Sequence, residues 1–172
     1  MNKMEPLSVY AESSNRFIAK TYCNGKTENF VFTLDPGPTP VLQRENSFIA
    51  KSFENSEICI WITRAVSYFS TAFENRIALQ SDFLTPLSIE IGDSTSEATT
   101  YVIEFNSQCN ERTKQFFEVS RNDSTYSVTG DNGSWQGKFT NMKLDISNED
   151  EALPLIKSIL SLQRARDVQS DN

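Results

Sequence analysis

The chain has 172 residues, and 16 Lys plus Arg against 23 Asp plus Glu give 16 − 23 = −7, with no histidine at all. The missing histidine excludes Ser-His-Asp and Cys-His catalysis, His-ligated zinc and imidazole pH switches together. The length suits one compact domain over residues 1–172, and the acidic balance argues against nucleic acid, whose phosphates need a surplus of Lys and Arg.

Residues 1–14 and 169–172 are expected to be flexible ends. The first fifteen residues also lack the apolar core of a signal peptide, and the longest strongly apolar run, Ile58 to Ile62, is far too short for a bilayer. A soluble cytoplasmic protein with reduced thiols at Cys23, Cys59 and Cys109 is therefore expected, without membrane contact. The first regular element is a hairpin, Phe17 to Tyr22 and Phe30 to Leu34, turned at Cys23-Asn24-Gly25-Lys26, because Asn-Gly tolerates positive φ. Asp35-Pro-Gly-Pro-Thr-Pro40 follows as a stiff loop, since three prolines fix φ and remove donors. Ser47 to Phe53 reads equally as a turn of helix or an edge strand.

Residues 56–78 place Ile58, Ile62, Ala65, Val66, Phe69, Ala72, Phe73 and Ile77 at i, i+3, i+4 spacing. The local run Ile58-Cys-Ile-Trp-Ile62 has strand composition, but the period persists for some twenty residues and favours a helix. From Pro86 onward the period becomes two, through Leu87/Ile89/Ile91, Tyr101/Ile103/Phe105, Phe117/Val119, Tyr126/Val128, Trp135/Phe139 and Met142/Leu144/Ile146. Polar turns separate these runs, which predicts an antiparallel meander with one buried and one wet face. A last helix is predicted from about Asp150 to Val168. Acidic residues precede it, Pro154 sits in its first turn, and an apolar stripe covers half its circumference. The predicted fold class is α+β, an antiparallel β-meander sheet packed against a central helix and a C-terminal helix.

No pattern for a nucleotide loop, a Ser-x-x-Lys pair or a cysteine cluster is present, so no catalytic residue, cofactor or metal is assigned. Glu90 and Glu104, on the polar parity of neighbouring strands, are candidates for a facing carboxylate pair, although alternation alone also puts glutamates towards solvent. Glu149, Asp150 and Glu151 complement a helix dipole or form an acidic epitope. Trp135 lies among Gly133, Ser134, Gln136 and Gly137, which makes it either core or a partly exposed anchor for a partner. Cys109, near Arg112 and Lys114, is the cysteine most open to reaction, against a plain loop role.

Three functions fit these residues. The first is a non-catalytic acidic protein-binding module, such as an inhibitor, immunity protein or chaperone-like adaptor. It would engage a basic protein partner through Trp135, Glu90, Glu104, Glu149, Asp150 and Glu151, and a homodimer is compatible with it. Its main support is that residues 87–172 carry 8 basic and 14 acidic side chains, −6 of the total −7. The second rests on element order: a long helix, an antiparallel sheet and a C-terminal helix resemble the helix-grip and related cone-shaped α+β folds. That resemblance implies an apolar cavity for a small hydrophobic ligand; the N-terminal hairpin departs from it. The third is an enzyme using carboxylates or Cys109.

Overall fold

A computed structural model describes residues 4–23, 25–35, 41–44, 57–79 and 82–170. The stretch Ser47 to Phe53 and all but the first residue of the proline loop lie outside the described residues. Among those described, the Asn-Gly hairpin forms as expected: β2 (Arg16–Cys23) and β3 (Lys26–Asp35) pair from Cys23↔Lys26 to Arg16↔Thr33, with Gly25 at φ 84°. Its two outer neighbours are β1 (Met4–Ser13) and β4 (Val41–Arg44).

β1 corrects the reading of residues 1–14 as a flexible end. It pairs β2 on one side and β6 (Asp82–Ser94) on the other, which makes it an interior strand. Two register shifts, between Pro6 and Ser8 and between Ala11 and Ser13, break its alternation, so a two-residue period is not visible in the sequence.

From β6 the chain continues as a meander through β7 (Ala98–Ser107), β8 (Arg112–Asn122), β9 (Thr125–Gly130), β10 (Gly133–Thr140) and β11 (Lys143–Ile146). The ten strands form one antiparallel sheet in the order β11-β10-β9-β8-β7-β6-β1-β2-β3-β4; a short β5 (Ile77–Leu79) pairs β6 beside it. The class is thus α+β with an antiparallel sheet. β6 begins four residues before the predicted start at Pro86, and a register shift between Pro86 and Ser88 accommodates the proline.

One face of this sheet is dry. The ladder Phe30–Ala19–Val9–Ile89–Ile103 crosses β3, β2, β1, β6 and β7 with every side chain buried. On the same side, α1 (Glu57–Asn75) buries Trp61, Ile62, Ala65, Val66, Phe69 and Ala72, the helical periodicity seen in the sequence. Phe69 and Phe73 meet the Phe17 ring edge-on at 6.1 and 5.6 Å. The helix ends at Asn75, earlier than its apolar period, because Arg76 turns to φ 58° and Ile77 enters β5.

α2 (Leu153–Ser170) starts two residues after Glu151, with Pro154 in its first turn, and continues through residues 169 and 170 that were expected to be a loose end. It is buried on nearly all sides, not over half its circumference: Leu155, Ile156, Ile159, Leu160, Leu162, Ala165 and Val168 are interior, and so are Ser158, Ser161 and Gln163. The cause is two-sided packing. Ser158 Oγ donates to the Ala65 carbonyl of α1 at 2.7 Å, while Leu160 approaches β10 so closely that a Cβ on Gly137 would sit 2.6 Å from its Cδ1. α1 also reaches β10 at its N-terminal end, where Trp61 stacks edge-on against Phe139 at 5.0 Å and Arg64 donates to the Met142 carbonyl.

Candidate functional site

Both helices join the core on the dry face, and the residues of opposite parity make up the other face of the sheet. On that open face the ladder reads Ser8–Glu90–Val102–Phe116 across β1, β6, β7 and β8. Phe116 is 57% exposed, the most exposed large apolar side chain among the described residues. Phe117, its neighbour of opposite parity, is buried in the core. Glu118 lies two residues beyond Phe116, on the same face, paired with Thr100 and Thr129. Glu104 lies two residues along β7 from Val102, opposite Ser88 and Lys114.

The carboxylates of this face differ in their company. Arg112 Nη1 approaches Glu104 Oε1 at 3.4 Å, and Lys114 is its cross-strand partner, so local cations offset its charge. Glu90 faces Ser8 and Val102, and Glu118 faces two threonines, with no cation directly across from either. Glu90 and Glu104 share the face but are one register step apart, diagonal rather than directly opposed, which separates their Cα atoms by roughly 7–8 Å. Of the two readings of these glutamates, the directly facing pair is therefore not the one found; both sit as sheet positions on the open face.

Trp135 is where the exposed-anchor expectation is corrected. Its ring is 2% exposed, packed toward Phe117 at 6.3 Å, and its Nε1 donates to Asp150 Oδ2 at 2.9 Å. Asp150 also accepts the Ala152 amide through Oδ1 at 2.9 Å, so this carboxylate ties β10 to the turn that starts α2. The structure therefore brings together two residues singled out from sequence, Trp135 and Asp150, as a structural clasp. Glu149 and Glu151 flank it as exposed side chains. The small residues around Trp135 leave room for interior packing: Gly133 would place a Cβ 3.4 Å from the indole, and Gly137 admits Leu160.

Cys109 is exposed in the β7–β8 turn, and Cys59 is buried in α1. Among the described residues no group of three or more Cys, Asp or Glu is placed to hold a metal ion, and no helix is long and apolar enough to cross a membrane.

Phe116 is the residue sequence reasoning missed. The signal was present: once Phe117 and Val119 are assigned to the core, period two puts Phe116 and Glu118 on the wet face. Comparison with protein-family models, curated proteins and solved structures returns no match.

Proposed function

We propose that the protein is a non-catalytic binding module, of the inhibitor, immunity-protein or adaptor kind, that engages a basic protein through its open sheet face. The observation that carries this reading is Phe116, an exposed aromatic beside Val102, with Lys114 and Glu118 on either side of it along β8 and Glu90 across Val102. An aromatic ring that loses its water on docking supplies affinity, while carboxylates without a local cation favour a cationic partner and speed its approach. Phe116 takes the anchor role that the sequence suggested for Trp135. Glu104 contributes less, because Arg112 and Lys114 already face it. The cytoplasm is the compartment this reading assumes.

The test is affinity capture with the wild-type chain, followed by calorimetry on each purified partner. Phe116→Ala should weaken binding by roughly 10- to 100-fold, the range of an aromatic hot spot. Glu90→Lys combined with Glu118→Lys should slow association most at low salt. A partner whose affinity ignores both sets of changes removes this face from consideration. The hydrophobic-carrier reading draws no support from the dry face, because α2 lies where its cavity would be, in contact with β10 and α1 through Leu160 and Ser158.

A further inference from the structure

A polar cleft of about 350 Å3 opens near the C-terminal end of α2, away from the Phe116 surface. The β6–β7 turn (residues 94–99) forms one wall. Glu5 of β1, Arg121 of β8, and Gln163, Arg166 and Asp167 of α2 line the remainder, with Val119 as its apolar contact. Beneath it runs a buried polar chain: Tyr101 OH donates to Gln163 Oε1 at 2.6 Å, and Gln163 Nε2 donates to Asp167 Oδ1 at 3.0 Å. The second Asp167 oxygen is buried, has no hydrogen-bond partner and lies 3.9 Å from Arg121 Nη1. The hydroxyl of Tyr126 is buried beside Asp167 and Arg164; burial and the Asp167 charge push its pKa up to about 12.

This chain positions the floor of the cleft, and it also decides which charges are available to a ligand. Asp167 and Arg121 offset each other as an ion pair. Glu5 is engaged in an interaction of its own. Arg166 and Glu97 remain, one charge of each sign, and among the described residues neither side chain is hydrogen-bonded or ion-paired. The β6–β7 turn holds Glu97 in place through its backbone, whose amide donates to Thr95 Oγ1 at 3.2 Å, as does that of Ala98 at 3.1 Å. Ser94 and Thr99 hydroxyls are bonded to each other at 3.2 Å, which stiffens the same wall.

We infer that this cleft binds a small zwitterion of the free α-amino-acid class, its carboxylate on the Arg166 guanidinium and its ammonium on the Glu97 carboxylate. One unpaired charge of each sign in one polar cleft matches a ligand with separated charges and no net charge. A simple anion would meet Glu5, Glu97 and Asp167, and a simple cation would meet Arg121 and Arg166. The planar guanidinium offers a carboxylate two parallel hydrogen bonds. Val119, in the lining, is an apolar surface against which a short side chain would rest. The inference does not depend on the protein-binding reading, since the cleft and Phe116 use different residues.

The experiment is isothermal titration of the full chain with each free L-amino acid, and with acetate and methylamine as single-charge probes. At least one amino acid should bind with Kd on the order of 1 mM or tighter, and neither acetate nor methylamine should bind. Arg166→Gln and Glu97→Gln should each lower that affinity about tenfold or more, while circular dichroism and urea midpoints stay at wild-type values because neither side chain is paired in the fold. The inference is overturned if no amino acid binds, if acetate or methylamine binds as well as the amino acid, or if both variants bind like wild type.

Discussion

The two halves of the chain run through the same order of elements and use it differently. Residues 4–75 form a four-stranded meander followed by α1, and residues 77–170 form a longer meander followed by α2; their first long strands, β1 and β6, lie side by side at the join. Yet α1 shows one buried stripe with Thr63, Ser67, Thr71 and Glu74 exposed, whereas α2 has no exposed side chain over residues 153–168 and buries Ser158, Ser161 and Gln163. Both helices pack against the sheet and each other, but α1 keeps one side in solvent whereas residues 153–168 of α2 keep none. A helix with an open side displays its period in sequence, while an enclosed helix must satisfy its polar groups internally.

The largest effects that would break this contrast are truncations on the two helices. Leu162→Ala and Ile156→Ala in α2 should each cost about 2–5 kcal/mol in urea unfolding, because both sites are fully enclosed. Thr63→Ala, on the open side of α1, should stay within about 0.5 kcal/mol. Equal losses in both helices would show that the enclosure of α2 has no energetic meaning.

Next comes the polar chain that exists only in the C-terminal half. Tyr101→Phe removes the donor to Gln163 Oε1 inside the core and should cost about 1–3 kcal/mol in the same assay.

Alkaline titration sharpens the contrast further. Burial raises the pKa of both Tyr101 and Tyr126, the latter to about 12. Each phenol therefore keeps its proton in the folded state above pH 10, where the unfolded chain has lost it. The resulting stabilisation is complete below about pH 10 and declines as pH rises from there toward 12, by up to about 1.4 kcal/mol per pH unit for each tyrosine. Urea midpoints between pH 9 and 11.5 should fall in the wild type and fall less steeply in Tyr126→Phe.

The smallest effect tests how the N-terminal half ends its helix. Arg76 adopts φ 58° without being glycine, so Arg76→Gly should stabilise by about 0.5–1 kcal/mol, read as a higher melting temperature.

Much of this architecture is legible in the sequence. The Asn-Gly turn, the long period of α1 and the alternation from β6 to β11 are local patterns, and local patterns survive in a single sequence. β1 was not legible, because its two register shifts erase the alternation that marks a strand. The enclosure of α2 was not legible either: Ser158, Ser161 and Gln163 read as a wet side, and only their partners, Ala65, Lys157 and Tyr101, make them interior. At the candidate surface, Glu90 and Glu104 were placed on the correct face by parity alone. For Trp135 the sequence leaves core and anchor open, because small polar neighbours look the same whether they border water or make room for a helix; burial decides for core.

The β1–β6 pairing that joins the halves also sets an order of assembly. β1 is made early, but its partner across Ser8↔Glu90 emerges some eighty residues later. The helix that covers the dry face of the second meander follows every described strand. A chain still being synthesised therefore carries the second meander's apolar rows of Phe117, Val128 and Trp135 without α2, and the sheet cannot be sealed until residues beyond 153 are free to fold back. During that interval the nascent protein depends on its cellular surroundings to keep those rows from other chains.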